Sequence, residues 1–285
     1  MEALEPNDRY ARLLRDSDLR LLAAAAAGGV GVERLRRSPE LVEALLERKE
    51  VFDSLFGSPE RDPLLVASPF LVFSVVVGRV ASELERSSYV EEWLAPGRSL
   101  PVFDVGSLRE FLAARQHRVF LAAVLTSFTR VTSGTTWQRT ARGWRRRRYS
   151  DLDPLRLAQL LEAVLPGQRP AVTRRLGDLA LFLSGVFPEH AARHPLQPRE
   201  VDALQRLLGG PGPGEVIRSS APEKGIWLLE WLGRRAYNVT AEWAPENSDL
   251  VEVAEAFGRA RRVLNLVTSR YLYPSRDRWF PANEA

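Results

Sequence analysis

One device recurs along this chain of 285 residues: a short polar or small residue, then proline, then apolar residues at helical spacing. It stands at Ser38-Pro39-Glu40, Ser68-Pro69, Asp153-Pro154, Gln197-Pro198-Arg199-Glu200 and Ala221-Pro222-Glu223. Proline suits the first turn of a helix, where its missing N–H has no partner to lose, and breaks a helix interior. Such starts, each opening a run with a 3.6-residue period, predict an all-α, multi-helix globular bundle of nine to twelve helices. At most one short basic β-hairpin is expected, near 135–149.

The individual runs follow from the same signals. Residues 8–15 and 18–27 read as short helices, the second closed by Gly28-Gly29. Ser38 offers a capping hydroxyl to a helix running from Pro39 to about Phe56, where Gly57 stops it. Residues 64–80 are strongly apolar, but Ser68-Pro69 and Arg79 cut them short of the roughly 20 residues a bilayer needs. They read as a buried core helix, with a buried strand through Val75, Val76 and Val77 as the alternative. Residues 95–106 read as a loop from their turn residues, and Ser107 as the cap of a helix reaching Thr126. Arg169–Phe187 is almost continuously apolar after Gly177-Asp178, as in a helix buried on more than one side. Gly209 to Gly214 holds only glycine and proline and cannot continue a helix. It suggests a main helical domain over 1–208, a linker over 209–221, and a helical pair over 222–285 packed on the main body. Trp227 and Trp231, four residues apart, read as a core stripe, while Trp279 pins the irregular end to the surface.

Composition removes whole classes of chemistry. With no cysteine there are no disulfides, thiolate zinc sites, iron–sulfur clusters or thiol nucleophiles, and a reducing compartment is suited. A charged fraction of 27% is too high for a membrane bundle. The opening Met1-Glu2-Ala3-Leu4-Glu5-Pro6 is acidic and lacks the apolar core of a signal peptide. A cytoplasmic location with no membrane partner is therefore expected.

Charge is unevenly placed. The chain carries +4, yet residues 130–149 alone hold seven arginines and no carboxylate, which leaves −3 on all the rest. A concentrated patch can recognise a partner, whereas a diffuse excess only attracts one. Only Lys49 and Lys224 are lysines, so arginine in place of lysine is a habit of the whole chain and carries no message by itself.

Other candidate chemistry is thin. His190 and His194 share one helical face and His117 offers a third nitrogen, but Pro188 and Pro195 leave little more than a turn between them. Two surface histidines are the simpler reading, and no metal or cofactor is expected. Of the clustered carboxylates, Asp151 with Asp153, Glu83 with Glu85 and Glu91 with Glu92, Asp153 serves as a cap, and adjacent glutamates on a helix diverge around it and do not share a cleft. Asp178 sits in an apolar run and calls for a partner, with Arg174 or Arg175 one turn back as the candidates for a structural ion pair. No nucleophile elbow, phosphate loop or dinucleotide fingerprint is present, and no catalytic residue is assigned.

The basic segment remains. Thr132, Thr135, Thr136, Trp137, Thr140, Trp144 and Tyr149 favour strands, and Ala141-Arg142-Gly143 suits a three-residue hairpin loop. That loop pairs Thr140 with Trp144, Arg139 with Arg145, Trp137 with Arg147 and Thr135 with Tyr149, with a continuous helix across Gly143 as the competitor. Arginines interleaved with aromatic residues suit phosphate contacts and base stacking. The expected function is a non-catalytic protein that engages an anionic partner, nucleic acid first, through Arg139, Arg142, Trp144, Arg145, Arg146, Arg147 and Arg148. The alternatives are docking on an acidic protein surface, including a second copy in a homodimer, and, more weakly, an enzyme with a helical pocket near Asp178.

Overall fold

The computed structural model describes residues 13–26, 29–58, 60–95, 98–130, 133–140, 143–150 and 152–280; within the strands, side chains are described at 90–92, 99, 101 and 102. The fold is predominantly α-helical. Its chain forms two compact units, the first running to Tyr89 and then from Phe103 to Thr129, the second holding Val90–Val102 and everything from Arg130 onward.

In the first unit, α1 (Asp16–Ala25), α2 (Val32–Arg37), α3 (Pro39–Leu46), α4 (Lys49–Phe56) and α5 (Pro63–Val66) lead to α6 (Pro69–Leu84). The chain returns with α7 (Val105–Ala113) and α8 (Arg115–Ser127). Every residue from Phe70 to Gly78 on α6 is buried, so the three valines lie in a core helix and the strand alternative falls. Its start is doubly fixed: Ser68 Oγ accepts from the Leu71 amide at 3.2 Å, and the Ser68 amide donates to Asp18 Oδ1 at 2.9 Å. Asp18 is fully buried and its other oxygen accepts from the Arg15 amide at 2.8 Å, so one carboxylate serves the starts of two helices. Arg109 closes the far end of α6, donating to the carbonyls of Leu84 and Ser87 at 2.7 Å each. Arg118 pairs with Glu43 and Glu47, and Arg115 with Glu43, which ties α8 to α3.

The second unit begins with β1 (Val90–Ala95) and β2 (Arg98–Val102), an antiparallel hairpin where a loop was expected. Pro96-Gly97, which counted toward that loop as turn residues, stand between the two strands in the sequence. Glu92 anchors the hairpin: it accepts from Arg261 Nη2 at 2.6 Å and Arg262 Nε at 3.0 Å, nearly out of solvent. A second ribbon, β3 (Ser133–Thr140) and β4 (Gly143–Ser150), feeds α9 (Pro154–Ala158), whose start is capped by Asp153 accepting from the Arg156 amide at 3.0 Å.

The remaining helices are α10 (Arg169–Val186), α11 (Pro188–Arg193), α12 (Pro198–Leu208), α13 (Lys224–Trp243), α14 (Asp249–Glu255), α15 (Phe257–Val267) and α16 (Arg276–Trp279). A π-helical turn over Thr268–Leu272 continues α15. The Gly/Pro run lies inside this unit and is held to α13: Arg235 donates to the carbonyls of Leu208 and Gly209, and Trp231 Nε1 to Pro211 at 3.1 Å. Trp231 and Trp227 are therefore not a core stripe, and Trp227 is 41% exposed. Trp279, by contrast, is buried.

Several long periodic runs are cut into shorter helices than expected. Pro39–Phe56 breaks between Leu46 and Lys49, the helix begun near Ser107 starts at Val105 and breaks at Ala114, and Ser38 makes no side-chain cap bond. The helical segments therefore outnumber the nine to twelve expected. Apolar spacing survives a one-turn break because the same face continues, so periodicity alone does not see it.

The seam between α10 and α13 sets the core of the second unit. These helices run antiparallel, with Thr240 Oγ1 donating to Thr173 Oγ1 at 2.8 Å and Tyr237 lying on Gly177. A Cβ on Gly177 would come within 2.4 Å of the Tyr237 ring, and one on Gly233 within 2.2 Å of Phe257. Gly177→Ala and Gly233→Ala should each cost about 1–3 kcal/mol in chemical denaturation, as overpacking does. Gly106→Ala, where a Cβ meets nothing within 4 Å, should change stability little. Wild-type stability in both seam variants would refute this close approach.

Candidate nucleic-acid interface

The basic segment forms an antiparallel ribbon, and the competing continuous helix is excluded. Its register differs by one residue from the expected one. Thr140 pairs with Gly143, leaving two residues between the strands instead of three. The ladder continues with Arg139 opposite Trp144, Gln138 opposite Arg145, Trp137 opposite Arg146, Thr136 opposite Arg147, Thr135 opposite Arg148 and Gly134 opposite Tyr149.

Electrostatics accounts for the difference. The expected register set Arg139 against Arg145, and like charges directly opposed destabilise a ladder. In the observed register each strand arginine faces a neutral residue, and two of the five arginine-containing pairs are Arg–Trp. The slip also redistributes residues between faces, because residues directly opposed share a face and neighbours along a strand alternate. Trp137, Arg139, Trp144, Arg146 and Arg148 fall on one face, and Gln138, Arg145, Arg147 and Tyr149 on the other.

Of the residues assigned from sequence, Arg139, Trp144, Arg145, Arg146, Arg147 and Arg148 thus lie on one continuous ribbon, and their side chains are outside the described residues. Arg142 lies wholly outside the described residues. Trp137, which was not among the residues assigned from sequence, stands two positions from Arg139 on the same strand, a spacing that places both on one face.

The other candidates resolve into structure. Asp178 Oδ1 accepts from Tyr237 Oη at 2.9 Å, a partner from another helix that spacing along one helix did not suggest. Arg174 donates instead to Asn247 Oδ1 at 3.3 Å, and acts on Asp178 through its charge. Burial raises the Asp178 pKa above its ordinary 3.8, against the pull of Arg174, the Tyr237 hydroxyl and Arg175. Burial, and then the Asp178 charge, hold the Tyr237 hydroxyl well above its usual range, so it stays a donor. His117 stands in the first unit with Nδ1 2.7 Å from the Phe111 carbonyl and its ring stacked on Phe111, while His190 and His194 belong to the second. His190 is lowered by burial and then by the neighbouring His194. Among the described residues no group of three His, Asp or Glu side chains is arranged to hold a metal ion. A cleft in the first unit is lined by Glu47, Ser82, Glu85, Arg109, Leu112 and Arg118, and both its arginines are engaged as described above. No described helix is long and apolar enough to cross a membrane.

Elsewhere in the protein many arginines are neutralised by its own carboxylates: Arg79 by Glu83, Arg234 by Glu230, Arg235 by Glu242, and Arg276 by Glu189. Residues 130–149 contain no carboxylate that could do this locally.

The Asp178 pair makes a pH-dependent prediction. A carboxyl whose folded pKa is raised contributes most at low pH, and that contribution is lost as pH climbs from the unfolded value through the folded one. Asp178→Asn keeps an acceptor for Tyr237 and removes the partly buried charge, so its melting temperature should gain on wild type as pH rises from 4 toward neutrality. A difference that does not vary with pH would contradict the raised pKa. Tyr237→Phe, which removes the donor, should cost about 1–3 kcal/mol.

Comparison with protein-family models, with curated proteins and with solved structures gives no match to this chain.

Proposed function

We propose that this protein binds a polyanionic partner, nucleic acid first, through the basic segment of residues 130–149, which carries the β3–β4 ribbon. The observation that carries the reading is charge location: seven arginines without a carboxylate, in a chain whose other residues sum to −3. Phosphate contacts are the sequence-independent source of affinity for nucleic acid, and arginine supplies planar, permanently charged donors for them. An antiparallel two-stranded ribbon is a shape that nucleic-acid-binding proteins use. The opposing reading, a ribbon docked on an acidic protein surface or a second copy, predicts a loss of self-association when the arginines go.

Replacing Arg145, Arg146, Arg147 and Arg148 with alanine removes four of the seven charges and leaves the helical core intact. Fluorescence anisotropy with labelled oligonucleotides should show wild-type affinity falling steeply with salt, by a log–log slope of roughly 0.7–0.9 per phosphate contact. The variant should lose both affinity and slope with an unchanged melting curve. No binding by the wild type at low salt, together with a lowered melting temperature or loss of self-association in the variant, would end the proposal.

A further inference from the structure

With Thr140 opposite Trp144, the two tryptophans of the ribbon would fall on opposite faces. With Thr140 opposite Gly143 they share one. On that face Trp137 stands opposite Arg146 and beside Arg139 on its own strand, while Trp144 stands opposite Arg139 and beside Arg146. The four form a checkerboard of two tryptophans on one diagonal and two arginines on the other. Arg148 extends the same face toward the base of the ribbon, opposite Thr135. The other face has no tryptophan; its arginines are Arg145 and Arg147, opposite Gln138 and Thr136.

Resting on the reading that the ribbon binds nucleic acid, we propose that the face bearing Trp137, Arg139, Trp144, Arg146 and Arg148 is a platform for a single strand. Diagonal positions in an antiparallel ladder lie about 7–8 Å apart, within reach for large aromatic side chains. That is far enough for two successive bases, unstacked from each other, to take one tryptophan each. Stacking on an aromatic ring needs an open base face, which a single strand offers and an intact duplex withholds except at its ends. The arginines on the same face are interleaved with the tryptophans, as a backbone running between stacked bases requires. A duplex taken into a groove is a different case. It meets the ribbon with phosphates on both sides, so it would draw on Arg145 and Arg147 as much as on Arg146 and Arg148.

The ribbon supplies its own control, because two pairs of arginines of equal charge lie on opposite faces of one strand. The double variants Arg146→Gln/Arg148→Gln and Arg145→Gln/Arg147→Gln remove the same charge from the full chain. Binding is read by anisotropy across a salt series, with labelled oligodeoxythymidine and with a mixed-sequence duplex of equal length. The wild type should prefer the single strand. The 146/148 variant should lose about 1.4 in the log–log salt slope for oligodeoxythymidine, two contacts' worth, and the 145/147 variant should keep most of it. Trp137→Ala and Trp144→Ala should each weaken the single strand by roughly fivefold to a hundredfold, with little effect on duplex. Equal losses in the two arginine variants, or a duplex bound as tightly as the single strand, would overturn the platform while leaving nucleic-acid binding standing. Failure of the wild type to bind either oligonucleotide at low salt would remove the underlying reading, and the platform with it. Melting curves of all four variants guard against loss of fold.

Discussion

The second unit depends on how closely α10 and α13 approach. Two helices can come this near only where one presents no side chain: Gly177 of α10 gives that space to Tyr237, and Gly233 of α13 gives it to Ala180 of α10 and to Phe257 of α15. The approach brings Tyr237 Oη to Asp178 and Thr240 to Thr173, so polar groups buried in the seam find partners across it. A carboxyl beside a fully buried tyrosine is costly without that bond, and the glycine makes the bond reachable. Sterics and hydrogen bonding are thus satisfied by the same few residues. The ribbon is built on this frame, since β4 runs into α9, whose Leu157 and Ala158 are buried.

A second constraint is the treatment of charge. Glu92, Glu230, Arg234, Arg261 and Arg262 form a connected cluster that holds the β1–β2 hairpin to α15 and α13, with Arg261 and Glu92 almost fully removed from water. Buried ions of this kind are tolerated because each has an opposite partner, and removal of one leaves the other stranded. Arg115 and Arg118 play the same part with Glu43 and Glu47 in the first unit. Against this pairing of arginine with carboxylate, twenty consecutive residues with seven arginines and no acid depart from the rule. Local departures from otherwise consistent design are where function is expected.

What the sequence made legible was whatever depends on local chemistry. Ser68-Pro69 and Asp153-Pro154 announced helix starts because a cap and a proline act within one turn, and both caps form. The ribbon was legible from its strand-favouring residues. Its register was not, because a loop of two or three residues is decided by small differences in turn geometry and cross-strand charge, and one residue changes every pairing. The β1–β2 hairpin was missed although Pro96-Gly97 marked it, since prolines at 96 and 101 make the stretch look like loop. Long-range partners such as Tyr237 for Asp178 or Arg261 for Glu92 leave no trace in spacing along one helix, and only the packed structure supplies them.

In the proposed platform, one face of the ribbon meets nucleic acid through its tryptophans. Photo-crosslinking tests it at the level of the residue: the unmodified 285-residue chain is irradiated with oligodeoxythymidine, and the adducts are mapped by peptide mass spectrometry. Adducts concentrated on Trp137 and Trp144, and suppressed by added salt, are the predicted result. Efficient crosslinking located only outside residues 130–149 would contradict it.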